Sequence, residues 1–307
     1  MTFLNSLKLF GSNWLKALKF FLYYLVVWGL GFLLLLPVLM EFKDLILSCF
    51  QTVNSSSAMT GVFGGSVGEN LYFLFHSAIF AVEGAFVSNV GMAIYGLIVL
   101  FVILPFFVNI GKYTFDEMLY SYMTSKTKLG FFNALVKGLK RSFVFALCKT
   151  FYNIAFMAVV LFSLYGLSLI SDPMFVAYFL PVVVFFVLVV LYTIKQLTVL
   201  GWSAAMIVFD CNVFAAYRKG FKAVKRHFWA TFATTALYFS LFWAFMIVFG
   251  VYTFIVLLPI MTALLCIFDM VVFFTSQGMR FYVNENKILT PKKLEEVDNI
   301  HKTACIL

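Results

Sequence analysis

Long apolar runs alternate along the chain with short segments in which cations recur at helical spacing. The fullest cationic segment is Cys211–Phe232, CNVFAAYRKGFKAVKRHFWATF. Arg218, Lys219, Lys222, Lys225 and Arg226 fall three to four residues apart, alternating with Phe214, Tyr217, Phe221, Val224 and Phe228. That period predicts an amphipathic helix with cations on one face and apolar rings on the other. A helix of this kind lies on the cytoplasmic membrane surface, rings in the acyl boundary and cations among anionic headgroups. Looser copies occur at Phe131–Phe145, with Lys137, Lys140 and Arg141, and at Leu4–Leu18. Each copy leads into an apolar run, so the pattern reads as a threefold repeat.

Six apolar runs, at 18–40, 87–110, 142–170, 174–194, 228–250 and 252–281, approach or exceed the roughly 20 residues that a helix needs to cross a bilayer. The predicted fold is therefore an all-α membrane protein: six transmembrane helices arranged as three hairpin units, each preceded by a basic amphipathic cytoplasmic helix. Residues 1–283 form a single integral membrane domain and 284–307 a cytoplasmic tail. Glu41–Phe86 is the long non-cytoplasmic segment; within it Leu71–Ala85, short and interrupted by His76 and Glu83, reads as an interfacial helix. Ser171-Asp172-Pro173 reads as a tight turn, because proline stops the preceding helix. Leu197–Phe209 is too short to cross and reads as a bent continuation of the fourth span.

Composition supports this layout. Of 307 residues, 64% are hydrophobic and 11% charged, against about 25% charged in soluble domains. The net charge of +9 would suggest nucleic acid in a soluble protein. Here the cations stand beside apolar spans, and anionic lipid headgroups are the expected partner, with a membrane-protein client as a further one and no nucleic acid. Of the 22 Lys and Arg, only Lys43 falls in an outer segment, so the positive-inside rule puts both termini in the cytoplasm of a multi-pass cell-membrane protein. The five cysteines form no C-x-x-C pair, and Cys305 stands one place too late for a prenylation box.

Glu117–Leu147 and Ala204–Phe232 each combine a short helix, a KG-x-K or KR cluster and a Phe-rich span. In this they resemble the bacterial YesL-type six-helix membrane proteins, a pattern covering about half of the chain. The resemblance implies a bacterial inner-membrane protein without established catalytic residues, in a family sometimes linked to carbohydrate uptake. The first outer loop is longer here than in that pattern.

Asp269 stands out among the candidate site residues, since a carboxylate inside a span costs about 3 kcal/mol on insertion scales and needs a partner. Lys149, Asn153 and Lys195 are the partners the span assignments offer, Lys149 being nearest in depth. Glu69, His76 and Glu83 share a helical face but lie seven residues apart, too far to converge on one ion. Gly61–Gly68, GVFGGSVG, lacks the following Lys of a phosphate loop. No metal or cofactor is expected. The spans contain no paired acid and base for catalysis, so a non-enzymatic accessory or scaffold protein is the expectation, with a small-solute or lipid transporter as the alternative.

Location reporters fused after Met1 and at Thr127, Asn212 and Leu307 are expected to read cytoplasmic, and one at Ser56 non-cytoplasmic. A cytoplasmic signal at Ser56 would overturn this layout.

Overall fold

A computed structural model of the chain describes residues 10–11, 14–48, 79–125, 129–170, 175–226, 228–249, 254–276, 281–284 and 288–291. Gly61–Gly68, Glu69, His76, the Ser171-Asp172-Pro173 turn, Cys305 and most of the Leu4–Leu18 copy lie outside the described residues. The body of the protein is helical: α1 (Trp14–Glu41), α2 (Val90–Ile98), α3 (Leu104–Ser125), α4 (Phe131–Ser168), α5 (Leu180–Val199), α6 (Trp202–Val208), α7 (Val213–Arg226), α8 (Phe228–Phe249) and α9 (Phe254–Ser276). A short antiparallel hairpin, β1 (Phe281–Asn284) with β2 (Ile288–Pro291), follows, pairing Phe281 with Pro291 and Asn284 with Ile288. The expected break between last span and tail at residue 284 therefore falls inside a strand pair.

Among the described residues, four helical runs are long and apolar enough to cross a membrane: Ala17–Glu41, Val90–Ser121, Phe131–Leu167 and Val182–Val208. The chain is a multi-pass membrane protein. Shorter apolar runs occupy Ile79–Ser88, Thr231–Phe242 and Leu258–Phe273.

Several boundaries differ from the sequence reading. The second run does not end at Ile110 but continues as helix to Ser125. The second cationic copy is no separate surface helix: Phe131–Phe145 forms the opening turns of α4. Nothing in Phe131–Ser168 stops a helix, since it holds no proline and its Gly138 and Gly166 are isolated. The bend expected after residue 197 is present. It falls at Gly201, whose φ of 72° only glycine adopts without strain.

Two π-helical turns, Val99–Ile103 and Phe175–Phe179, stand immediately before Leu104-Pro105 and Leu180-Pro181. Proline lacks an amide hydrogen and its ring crowds the preceding turn. A widened turn upstream accommodates it while other amides stay bonded: Leu104 N–H reaches back five residues to the Val99 carbonyl. In a membrane, where water cannot take up a freed backbone group, such repair is what makes an internal proline tolerable.

The chain divides into two compact units. One draws on Trp28–Pro105 and Thr150–Leu191. Here the Asn89 side chain caps α2 by accepting from Met92 N–H at 3.2 Å and donates to Glu41 Oε1 at 3.0 Å. Tyr95 Oη donates to the Leu34 carbonyl at 3.1 Å, tying α2 to α1. Leu180 and Val184 form a small core with Leu164, Leu167 and Leu188.

The other unit draws on Met1–Val27, Phe106–Lys149 and Tyr192–Leu307. Its larger core joins Leu197, Leu200, Val224, Tyr238, Leu265 and Phe268 from α5, α7, α8 and α9 and the α5–α6 bend. Backbone meets backbone where α7 crosses that bend. A Cβ added at Gly220 would stand 2.8 Å from the Gly201 carbonyl carbon and 3.0 Å from the Leu200 oxygen. Both are backbone atoms, which cannot swing aside as a side chain can. Gly220→Ala is therefore expected to destabilise the protein by about 1–3 kcal/mol, whereas Gly29→Ala, with nothing near its added methyl, is expected to be neutral or to stabilise by up to about 1 kcal/mol. Thermal unfolding in detergent compares the two; equal midpoints would refute the backbone contact.

Candidate functional site

The site begins on α3. From Asn109 to Asp116 every residue is buried, so the helix has no solvent face along these two turns. Lys112 and Asp116, one turn apart, are 6% and 1% exposed. Neither can turn to water, and each charge must be met inside the protein.

Lys112 finds Asp269 of α9. Its Nζ lies 3.3 Å from Asp269 Oδ2, and Asp269 is 2% exposed. Gln196 at the end of α5 donates its side-chain amide to the same carboxylate, at 2.9 Å to Oδ1 and 3.0 Å to Oδ2. Three elements thus converge on one carboxylate. Lys149 of α4, also buried, lies over the Phe145 ring at 5.2 Å and within charge range of Lys112 and Asp269. Asp116 stands in the same field, with Lys149 and Cys266 in charge range and the Ser203 hydroxyl facing it, though neither of its oxygens is in a close hydrogen bond. With all four charged, two lysines and two aspartates cancel, which lowers the cost of burying them.

Asp269 is a buried carboxylate with a cationic partner, and that partner is Lys112, where the sequence reading offers Lys149, Asn153 and Lys195. Lys112 makes the ion pair, and Lys149 lies beside it without touching Asp269 closely enough to form one. The reason is the extension of the second apolar run: with the span ended at Ile110, Lys112 is reckoned outside it. Lys195 points to the Tyr192 ring, 5.6 Å away, and Asn153 belongs to the other unit, where its side-chain oxygen is buried without a hydrogen-bond partner. Lys112, Asp116 and Gln196 are site residues that the sequence reading passes over. Their signal is the i, i+4 spacing of Lys112 and Asp116 on one helix, hidden by ending the second span at residue 110.

An aromatic chain joins this cluster to α7. Tyr113 meets Phe145 at 5.5 Å, Phe145 meets Trp202 at 5.6 Å, and Trp202 meets Tyr217 at 5.1 Å between ring centroids. Trp202 Nε1 donates to the Val213 carbonyl at 2.9 Å, anchoring the first turn of α7. The α7 faces then sort themselves. Val213, Ala216, Gly220, Ala223 and Val224 are buried, while Arg218, Lys219, Lys222 and Lys225 are exposed. Phe214 and Phe221 are not on the buried face: at 76% and 46% exposed they flank the cations. The expectation that rings and cations oppose each other is corrected here. Small residues allow close approach to α6, and the large rings are displaced to the edge. Among the described residues no acidic group pairs with the α7 cations, and Lys219 lies over the Phe209 ring at 4.2 Å. The cations of α4 differ: Lys137, Lys140 and Arg141 are exposed, but Arg141 pairs with Asp210, and Glu117 faces both Lys137 and Arg141. Arg226 has no described side chain.

Comparisons of the chain with protein-family models, curated proteins and solved structures find no match.

Lys112→Met is expected to lower stability by about 3–5 kcal/mol, because it strands buried carboxylates. Lys112→Met with Asp269→Leu is expected to recover most of that loss, and Lys149→Met with Asp269→Leu is not. Thermal unfolding of the purified variants in detergent gives the ranking, and strict additivity for the Lys112–Asp269 pair would refute the coupling.

Proposed function

We propose that the protein is a non-enzymatic accessory or scaffold protein of the bacterial inner membrane, binding anionic headgroups, and through them or beside them a membrane client, by the exposed face of α7. The observation that carries this reading is the α7 face itself: Arg218, Lys219, Lys222 and Lys225 lie unpaired by acids among the described residues, bordered by the exposed rings of Phe214 and Phe221. A ring left in water gains nothing, while a ring at the acyl boundary is buried and sets the cations at headgroup depth. Lys137 and Lys140 of α4 add to the same charge, and Arg141 less so, being tied to Asp210. The proposal includes six spans in three hairpins, with α8 and α9 as the last pair, both termini cytoplasmic, and the YesL-type affiliation.

The alternative, a small-solute or lipid transporter, is favoured by one observation: charges buried among membrane helices mark pathways as well as packing. Accelerated flip of a labelled phospholipid across reconstituted vesicles, lost in Asp269→Asn, would move the reading to it.

For the accessory reading, delipidated protein is expected to be stabilised against heat more by phosphatidylglycerol than by phosphatidylcholine. Replacing Lys219, Lys222 and Lys225 by Gln is expected to remove most of that difference, about 1 kcal/mol of binding for each cation near the surface. An unchanged preference would reject α7 as the lipid-binding face.

A further inference from the structure

Lys112 serves one buried carboxylate and stands one turn from another. On α3, side chains at i and i+4 lie on the same face and reach one another, so the Lys112 ammonium, now on Asp269, has Asp116 within its range. Asp116 is fully buried, with the Ser203 hydroxyl facing it but neither oxygen in a close hydrogen bond, whereas Asp269 accepts from Lys112 and twice from Gln196. The two carboxylates are thus unequally served, and the difference is one movable cation. If Lys112 turns to Asp116, Asp269 keeps its Gln196 hydrogen bonds and remains within charge range of Lys149. Neither arrangement leaves both carboxylates without a donor.

We propose that Asp116 is a second binding position for the Lys112 ammonium, so that Lys112, Asp116 and Asp269 form a two-position charge switch within the helical unit. The groups facing Asp116 are Lys112 on its own helix, Lys149 on α4, Ser203 on α6, and Asp269 with Cys266 on α9. Lys149 lies within hydrogen-bond and charge range of Lys112 and Asp269 and so borders the space the ammonium would cross. Phe145 links the Lys149 side of the cluster to Trp202 and so to the start of α7, which gives the switch a packed neighbour to move against. The inference is independent of lipid binding by α7.

The test uses the full chain in detergent micelles. Asp116→Asn alone removes one buried negative charge and is expected to lower the unfolding midpoint less than Asp269→Asn does, because Lys112 remains on Asp269. Asp269→Asn lets Lys112 move to Asp116. The double variant leaves Lys112 with no carboxylate and is expected to lose at least about 3 °C more than the sum of the singles. A second measurement covers the case in which Asp269→Asn does not fold. The ammonium NMR resonance of Lys112, assigned by its absence in Lys112→Met, is expected to shift or sharpen in Asp116→Asn as exchange between the two positions is removed. Additive midpoints, or a Lys112 resonance unchanged by Asp116→Asn, would overturn the switch and leave Lys112 fixed on Asp269.

Discussion

The Lys112–Asp269 ion pair is a contact between charges that have no way out to water. Both residues sit on helix segments buried on all sides, and the pair holds α3 against α9 because separating them would leave two uncompensated ions. Gln196 brings the end of α5 to the same point, and Lys149 and Asp116 lie within charge range of the pair. In a bilayer, where helix association gains little from the hydrophobic effect, polar contacts of this kind carry orientation as well as energy. Rotating α3 by one residue would turn Lys112 away from Asp269.

Around that fixed point the unit is built by close approach. Gly220 and Gly201 bring α7 onto the α5–α6 bend until backbone meets backbone, with Ala216 and Ala223 on the same face. Small residues at a helix crossing replace side-chain volume with backbone contact. Because α7 sits so near, its large rings have no room beneath it and emerge beside the cations. The surface on which lipid binding is proposed is therefore a by-product of packing: the same glycines that seat α7 decide which of its residues remain outside. Tyr113, Phe145, Trp202 and Tyr217 fill the space between this helix and the charge cluster.

Prolines shape the apolar helices by a different rule. Pro105 and Pro181 each follow a leucine and a five-residue π-turn, so each helix widens rather than breaks. Read locally, a proline after an apolar run marks an exit from the membrane. After Pro105 the helix instead runs on to Ser125 and carries Lys112 and Asp116 into the interior.

The sequence by itself determined the class of the protein and the character of its parts. Apolar runs of this length exclude a soluble fold, the spacing of Arg218, Lys219, Lys222 and Lys225 defines a helix with one cationic face, and Asp269 is legible as a buried charge that needs a cation. These properties are local: run length, helical period and the cost of a carboxylate in an apolar run are all written within a few turns. Only the tertiary structure decided which cation answers Asp269, that Gln196 joins it, and that Phe214 and Phe221 lie outside. Lys112 and Asp269 are 157 residues apart, and no local pattern encodes their meeting. The depth of Lys112 follows from a helix carried on past a proline by a π-turn, and the exposure of the α7 rings from a glycine on another segment. Each is a contact between distant parts of the chain, settled by which surfaces can approach closely enough to pack.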